Sequence, residues 1–228
     1  LGLTTDTYDT DGELVATRPV PELTADDLRA ALAHFTGDIL QTPPAYSAIK
    51  QDGVPLHRRV RRGETVQPAP RPVRIQSIEV LAWQPPDVAL EVVCDPGTYI
   101  RSLVHDLGQT LGCGATMTAL QRTRSGRFHI ADALDLDTLA QAAAHGDIAR
   151  HLHPLSAALG HLTPVEVTAE VEKLLRYGQP IPCSEPPATV TGYAINPTGE
   201  VTAILTYAEQ NGTWRPEKVF ASESNGAS

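Results

Sequence analysis

The sequence is poor in residues that form covalent or metal cross-links. Its three cysteines, Cys94, Cys113 and Cys183, lie far apart and form no Cys-x-x-Cys pair, and its 8 histidines show no metal-ligand spacing. This pattern argues against a disulfide framework and against a zinc site, and it is typical of proteins in a reducing cytoplasm. We therefore expect a cytoplasmic protein that holds no metal.

Long apolar runs and targeting signals are also missing. No uninterrupted apolar run reaches the roughly 18 residues of a candidate membrane span. The first residue is Leu1, and no charged start, apolar stretch and cleavage site follow it as they would in a signal peptide. No glycine-rich phosphate loop is present. We interpret the sequence as a chain whose N-terminal part is missing, and we expect no membrane partner.

Positive charge is scarce overall but is concentrated in one part of the chain. The net charge is −9, from 18 Lys and Arg against 27 Asp and Glu. Residues 44–127 nevertheless hold 11 basic and 7 acidic residues, whereas the rest of the chain holds 7 and 20. An RNA-binding surface needs local positive potential and not a basic total. The middle of the chain is therefore the candidate for contact with phosphates.

Apolar periodicity and capping residues predict a mixed α/β region up to about residue 162. Thr24 is expected to cap one helix, and Thr98 another whose apolar face includes Leu103 and Leu107. Residues 51–72 are expected to form a long loop around a short helix at 56–62. The predicted strands are 12–17, 45–50, 73–83, 88–94, 116–123 and 126–130, and a further helix is predicted over 136–144.

Composition changes near Pro164, and the segment beyond it has a mainly β pattern. One helix is predicted at 169–177, followed by strands at 188–195, 201–205 and 213–220, which together fit a small barrel. We predict an α+β (mixed α/β) fold with an antiparallel-rich sheet in a domain of residues 1–162. A small β-barrel domain would follow at 163–222, and a disordered tail at 223–228.

The sharpest chemical feature is Arg101, at the end of the segment Gly-Thr-Tyr-Ile-Arg (97–101). A cap at Thr98 would place this cation in the first turn of a helix, where the positive end of the helix dipole disfavours it. We therefore expect Arg101 to meet a carboxylate or a phosphate in a bidentate contact. A structural salt bridge is the plainer alternative. The neighbouring Tyr99 either stacks on a base, which contributes roughly 1–3 kcal/mol, or packs in the core.

Two further groups of charged residues stand out. Asp6, Asp9 and Asp11 are close enough in sequence to suggest a calcium loop, but the ligand order of an EF-hand is not met, and turn formation is the simpler interpretation. The second group is basic, and four of its arginines occupy five consecutive positions. Contact with phosphates is its natural function, although any single member is also compatible with a solvated face. Its members are Lys50, Arg58, Arg59, Arg61, Arg62, Arg71 and Arg74, with a weaker cluster at Arg122, Arg124 and Arg127.

Several segments together resemble one family, the bacterial TruB-type tRNA pseudouridine synthases. Five motifs occur in the family's order between Leu1 and Phe128, and a sixth follows near the end of the chain. Ordered motifs are far more specific than any single one. They are LGLTTDTYDTDG (1–12), PPAYSAIK (43–50), GTYIRSL (97–103), LGCGA (111–115), LQRTRSGRF (120–128) and RPEKVF (215–220).

The resemblance implies a reaction and a substrate. Such enzymes isomerise uridine 55 in the T-loop of tRNA to pseudouridine, without cofactor or metal. The uridine would be flipped out of the RNA into a pocket. A catalytic aspartate would act on the sugar through C1′ or C2′, and the base would detach, rotate and reattach through C5. The resemblance also implies a pseudouridine-synthase catalytic fold followed by a small PUA-like domain, in a protein expected to be a monomer without an obligate protein partner.

Roles for individual residues also follow from the resemblance. Tyr99 would stack on the flipped base and help to remove the C5 proton, and Leu120 would pack against the base. Arg101 would pair with the catalytic aspartate, and Asp9 would extend that network. A thumb-like insertion at about 44–72 would grip the T-arm through Lys50 and the arginine-rich loop.

The chain departs from the family pattern in three places. The family's catalytic aspartate lies in a Gly-Thr-Leu-Asp-Pro motif that would precede Leu1, so we expect this piece alone to be inactive. His57 stands where the insertion usually carries an aromatic residue. From Pro164 onward the chain has 4 basic and 8 acidic residues, which argues against strong RNA binding there. A non-catalytic RNA-binding or tRNA-folding module is the rival function, and a guide-RNA-dependent synthase fits the basic insertion poorly.

Overall fold

A computed structural model describes residues 1–220, and the chain divides into two compact units that meet in sequence at Gln121 and Arg122. The predicted boundary at 162/163 falls inside the second unit, where a strand begins at Thr163, and it stays a prediction. The predicted tail at 223–228 lies outside the described residues.

The first unit combines three helices with short hairpins and one larger sheet. The predicted helix capped by Thr24 and the predicted strands at 73–83 and 88–94 are confirmed, the strands with slightly different ends. The elements are β1 (Leu3–Thr5), β2 (Leu14–Thr17), α1 (Ala25–Ala33), β3 (Gly37–Gln41), β4 (Lys50–Gln51), β5 (Val54–Pro55), α2 (Leu56–Val60), β6 (Arg71–Gln84), β7 (Asp87–Cys94) and α3 (Ile100–Thr110).

The larger sheet of this unit is antiparallel, in the order β3-β6-β7. Helices α1 and α3 pack against it through Leu32 and Leu107, which contact Ile78 and Leu90 of the sheet. Helix α1 begins with a complete capping box, because the Thr24 hydroxyl accepts from the amide of Asp27 while the Asp27 carboxylate accepts from the amide of Thr24. Local capping and long-range packing thus agree in placing this helix.

Helix α3 begins one residue later than expected, and the prediction that Thr98 caps it was wrong. The N-cap position is Tyr99, and the Thr98 hydroxyl instead donates to the carbonyl of Asp95 at 2.9 Å, which closes the preceding turn. Arg101 still lies in the first turn. A Cβ added to Gly108 would overlap the backbone of Gly114 and Ala115, so this glycine lets α3 lie directly against the chain that follows it.

Three predicted strands are not formed as expected. The segment 45–50 is a series of bends, with β structure only at Lys50–Gln51, because carbonyls that a strand would pair are used elsewhere. The Ser47 carbonyl accepts from the amide of His57, and the Ile49 carbonyl accepts from that of Leu56. Over 116–123 the backbone makes only one isolated bridge, between Met117 and Asp9. Of the strand predicted at 126–130, only Phe128–His129 is formed, and it pairs with Arg124–Ser125 in a short hairpin.

Over its described residues 122–220, the second unit contains a small hairpin, three α-helices and a five-stranded sheet. The sheet order is β10-β12-β13-β14-β11, in which β10 runs parallel to β12 and the other pairs are antiparallel. The predicted helices at 136–144 and 169–177 and the three late strands are confirmed. The elements are β8 (Arg124–Ser125), β9 (Phe128–His129), α4 (Leu136–Ala144), α5 (Leu155–Ala158), β10 (Thr163–Glu166), α6 (Ala169–Arg176), β11 (Ile181–Pro182), β12 (Thr191–Ile195), β13 (Val201–Ala208) and β14 (Thr213–Val219).

The core of the second unit forms where α6 covers the five-stranded sheet. Leu175 of α6 packs with Leu205 and Trp214 of the sheet, and all three are nearly inaccessible to solvent. Gly192 lies under the Trp214 ring, where an added Cβ would approach the ring to 2.9 Å. Within residues 1–220, no helix has both the length and the apolar character to cross a membrane.

Candidate active site

Arg101 is the centre of the candidate site in the first unit. It projects from the first turn of α3 and binds three acceptors from two other segments. Its Nη1 donates to the Asp9 carboxylate (Oδ2) at 2.9 Å and to the Thr7 carbonyl at 3.1 Å, and its Nη2 donates to the Tyr46 carbonyl at 2.9 Å. The carboxylate offsets the unfavourable position of a cation at the helix N-terminus. Arg101 therefore ties the 5–12 loop and the 43–49 segment to α3.

The guanidinium of Arg101 retains capacity for a further anion. Three of its five N–H donors are used, and Nε and the second Nη2 hydrogen have no partner among residues 1–220. The side chain is 24% exposed, so these donors lie at a partly accessible surface. An incoming carboxylate or phosphate would meet two donors of one rigid plane. Both sequence interpretations of Arg101 are thus compatible with its contacts: it has a structural ion pair and room for a second anion.

The Asp9 carboxylate is held by its own loop as well as by Arg101. Its Oδ1 accepts from the Thr7 hydroxyl at 2.6 Å and from the amide of Asp11 at 3.2 Å. Asp6, in the same loop, accepts from the amide of Glu13. These contacts are those of an Asx-type turn, the simpler of the two interpretations of the acidic segment. In the described part of the chain, no group of three or more His, Cys, Asp or Glu residues is placed to hold a metal ion.

Tyr99 is half-buried, and its backbone is fixed by a side chain that sequence reasoning missed. Gln41, at the end of β3 and only 3% exposed, accepts from the Tyr99 amide at 2.8 Å and donates to the Tyr99 carbonyl at 3.0 Å. A buried glutamine that satisfies both backbone groups of one residue fixes that residue's position accurately. Nothing in the sequence pattern indicated Gln41, because the strand β3 that positions it was not predicted.

Leu120 lies in an exposed segment that is anchored beside Asp9. The amide of Met117 donates to the Tyr8 carbonyl at 3.0 Å, and the amide of Thr10 donates to the Met117 carbonyl at 3.1 Å. Three residues later, Leu120 is 62% exposed. A single exposed leucine is ordinary, but this one follows directly from a segment bonded to the Asp9 loop.

Tyr46 is a second site residue that was not singled out from the sequence, although it lies in the Pro-Pro-Ala-Tyr-Ser-Ala-Ile-Lys segment. Its carbonyl is one of the three acceptors of Arg101. Desolvation raises the pKa of its phenol, and the nearby carboxylate of Asp6, which is hydrogen-bonded to it, raises that pKa further. Tyr46 therefore adds an aromatic side chain to the same cluster and stays protonated at neutral pH.

The basic insertion contains both occupied and available cations. Arg59 is occupied, because it contacts Glu64 at 2.7 Å and Asp52 at 3.8 Å. Arg74 likewise pairs with Asp38 at 3.2 Å. The other predicted RNA-binding side chains are solvent-exposed and have no ion-pair partner within the described residues. These are Lys50, Arg58, Arg61, Arg62 and Arg71 in the first unit and Arg122 in the second.

Two family models match the chain over most of its length. The N-terminal domain model of the TruB family pseudouridylate synthases matches residues 1–100. The model of the tRNA pseudouridylate synthase B C-terminal domain matches residues 101–160. Together they cover both the Arg101 cluster and the basic insertion.

Curated relatives share the same description. A tRNA pseudouridine synthase B of Pseudomonas aeruginosa is 43% identical over 190 residues, which are 82% of this chain and 62% of that protein. A protein of that name from Dehalococcoides mccartyi is 39% identical, over 97% of this chain and 74% of that protein. Another, from Ralstonia nicotianae, is 41% identical, over 96% of this chain and 71% of that protein. The chain spans under two thirds of the length of several such relatives.

Solved structures match the fold at low sequence identity. The chain resembles a protein in an H/ACA RNP bound to a substrate RNA containing 2′-deoxyuridine, with a TM-score of 0.68 and 22% identity over 91% of this chain and 64% of that one. It also resembles a chain of a Cbf5-Nop10-Gar1 complex, with a TM-score of 0.66 and 23% sequence identity. That match covers 90% of this chain and 63% of the other. Together with the two TruB family models, these likenesses confirm the predicted pseudouridine-synthase fold, with mixed helix and sheet and a small PUA-like C-terminal part.

Proposed function

The chain belongs to the TruB family of pseudouridylate synthases. We propose that it supplies the arginine, Arg101, of an active site that isomerises uridine 55 in the T-loop of tRNA. The observation that carries this proposal is the Arg101 guanidinium. It is oriented by Asp9, Thr7 and Tyr46 and keeps two N–H donors for a further anion. In the complete protein, that anion would be the carboxylate of a catalytic aspartate preceding Leu1.

Arg101 would act by orienting and ionising this aspartate. A guanidinium within hydrogen-bond distance favours the charged form of a carboxylate, which is the form needed to attack C1′ or to take a proton from C2′. The two free donors would also fix its direction, because a planar fork accepts a carboxylate in only a narrow range of geometries. Asp9 would remain a structural partner, since both of its oxygens are already bonded.

The base would undergo an isomerisation without any external reactant. The N1–C1′ bond breaks, the detached uracil rotates, a C5–C1′ bond forms, and the C5 proton is removed while N1 gains one. Tyr99, whose backbone is fixed by Gln41, is the candidate to stack on the base and assist the removal of the C5 proton. Leu120 would pack against the base. The reaction as proposed needs no metal and no cofactor.

Phosphate contacts would hold the T-arm while the uridine is flipped out of the stack. The exposed cations of the insertion supply these contacts without reading sequence, which is the usual role of Lys and Arg toward an RNA backbone. The candidates in the insertion are Lys50, Arg58, Arg61, Arg62 and Arg71, and Arg122 of the second unit is a further candidate. Arg59 already has two carboxylate partners, so we assign it to the internal structure of the insertion.

Tritium release from a T-arm stem-loop that carries [5-³H]uridine tests this proposal. The full-length protein should release tritium from the stem-loop alone, and residues 1–228 should bind the same RNA without release. Full-length protein that binds RNA but releases nothing would instead support a non-catalytic RNA-binding or tRNA-folding module. A requirement for an added guide RNA would contradict stand-alone recognition.

A further inference from the structure

A second side chain on α3 contacts the same loop as Arg101. His105 lies four residues after Arg101 and therefore on the same face of the helix. Its imidazole stacks on the ring of Tyr8, with 3.9 Å between the ring centroids and an interplanar angle of 16°. Tyr8 lies between Thr7 and Asp9, both of which accept hydrogen bonds from Arg101. Two residues on successive turns of one helix thus contact three consecutive residues of one loop.

Tyr8 has a backbone conformation that aromatic residues rarely adopt. Its φ is +66°, in the left-handed region that favours glycine. With Tyr8 in this conformation, the carbonyl of the residue before it and the carboxylate of the residue after it both face the guanidinium. A tyrosine keeps such a conformation only when contacts elsewhere hold it there.

Ring stacking is the side-chain contact that the structure offers for this purpose, beside the backbone hydrogen bonds of Tyr8 with Thr5 and Met117. The buried Nδ1 of His105 has no hydrogen-bond partner within residues 1–220. Buried polar atoms are normally satisfied, so this histidine is held by the face of its ring and not by a polar network.

The same loop also carries the segment that leads to Leu120. The Tyr8 carbonyl accepts from the amide of Met117, and the Met117 carbonyl accepts from the amide of Thr10. A change in the Tyr8 backbone would therefore disturb the acceptors of Arg101 and the Met117 bridge together.

We propose that the Tyr8–His105 stack is a positioning device that holds residues 7–9 in the conformation that orients Arg101 and anchors the Met117 segment. Neither ring is a catalytic residue. The structural part of the proposal stands without the proposed function, and only its kinetic consequence rests on it.

Amide hydrogen exchange tests the structural part on the 228-residue chain. Tyr8→Ala and His105→Ala should each raise the exchange rates of the Met117 and Thr10 amides by about tenfold or more. Tyr8→Phe and His105→Phe keep the stacked faces and should preserve the slow rates. The double alanine variant should exchange these amides no faster than either single variant does, because each single substitution already removes the stack. Unchanged rates in Tyr8→Ala would overturn the proposal, since the stack would then be unnecessary.

Tritium release by the full-length protein tests the kinetic consequence. Tyr8→Ala should lower kcat by roughly tenfold to a hundredfold through misplacement of Arg101, with KM for the stem-loop nearly unchanged, and Tyr8→Phe should restore kcat. Tyr177→Ala, at an 83% exposed tyrosine of the second unit, is the control and should change neither value. A raised KM would make Tyr8 an RNA contact and overturn the positioning role. If the unsubstituted protein releases no tritium, the proposed function fails, while the exchange experiment still decides the stack.

Discussion

At the scale of single residues, the site depends on one arginine in an electrostatically unfavourable place. A cation in the first turn of α3 opposes the helix dipole, which typically costs about 0.3–1 kcal/mol at an exposed position. The contacts of Arg101 with one carboxylate and two carbonyls offset this cost. A neutral side chain would suit this position of the helix better, but it could not make the three contacts of Arg101.

Replacing Arg101 by lysine should separate catalysis from binding. Lysine keeps the charge, but a single ammonium cannot reach three acceptors and also present a planar pair of donors to a further carboxylate. We expect Arg101→Lys in the full-length protein to lose on the order of 100-fold or more in tritium release, with stem-loop affinity in a filter-binding assay nearly intact. Arg74→Lys, at an exposed ion pair with Asp38, is the matched control and should keep both. A comparable loss of affinity would make Arg101 a phosphate contact.

Acidification should destabilise the Tyr8–His105 stack. Burial lowers the pKa of His105 below its ordinary 6.5, and the negative charge of Asp106 opposes this only in part. The unfolded state therefore binds the proton first, so stability is full above pH 6.5 and falls as the pH drops below it toward the lower folded value. Thermal unfolding of the chain between pH 7.5 and 5 should show this loss, and His105→Phe should lack it.

Asp106 has the opposite effect and needs to be separated from His105. Burial raises the pKa of the Asp106 carboxyl, so its ionisation costs stability, and this cost is relieved as the pH falls through the raised value. His105 in turn lowers the pKa of Asp106, so the histidine is isolated by comparing the pH profile of Asp106→Asn with that of Asp106→Asn combined with His105→Phe. An identical decline in both would contradict the assignment to His105.

At the scale of elements, the basic insertion is organised by one of its own arginines. Arg59 bonds Glu64 through its side chain, and its carbonyl accepts from the amide of that same residue. The turn after α2 is thereby closed, which leaves the neighbouring Arg58 exposed. Adjacent arginines in one short helix thus have different roles, one internal and one facing solvent.

Alanine substitutions at these two positions should have distinguishable effects on RNA binding. Arg59→Ala should speed amide exchange at Gly63 and Glu64 and lower affinity with little change in the salt dependence. Arg58→Ala should leave exchange unchanged and reduce the slope of log affinity against log salt by roughly 0.7–0.9, the contribution of one phosphate contact. Filter binding across a salt series, with exchange measured on the same proteins, checks both. A reduced slope in Arg59→Ala would show that Arg59 contacts phosphate itself.

Elements held by local contacts were predictable from the sequence, and those held by distant partners were not. The capping box at Thr24 and the alternation through β6 and β7 are local signals. The segment 45–50 has a strand-like composition, but its carbonyls accept hydrogen bonds from Arg101 and from the amides of Leu56 and His57. The Thr98 hydroxyl similarly closes a turn instead of capping α3. Sequence patterns do not reveal which remote donor will capture a backbone carbonyl.

The candidate site shows the same difference between features with a local sequence signal and features set by distant partners. The dipole argument indicated an anion near Arg101, and the family motifs directed attention to Asp9, which the structure places in contact with it. Gln41, Tyr46 and the Tyr8–His105 pair were missed, because they act through backbone groups or ring faces across long sequence separations. The roles of Tyr99 and Leu120 toward a base stay predictions.

At the scale of the whole molecule, the distribution of charge should matter more than its total. The chain has a net charge of −9 and a pI near 5.3, yet the proposed RNA surface is basic. Phosphates respond to potential within about 10 Å at ordinary ionic strength, so distant carboxylates are largely screened. We therefore expect steep salt dependence despite the acidic total.

Two double variants that remove the same charge from different places test this directly. Arg58→Gln with Arg61→Gln removes two exposed cations of the insertion, and stem-loop affinity should fall at least tenfold at low salt while the salt slope decreases by roughly 1.5. Arg29→Gln with Arg150→Gln removes the same total charge at surface ion pairs with Asp26 and Asp147. Such pairs contribute about 0–1 kcal/mol each, so folding and affinity should both change little. Equal losses of affinity in the two variants would mean that net charge governs binding, and would contradict the insertion as the RNA-binding surface.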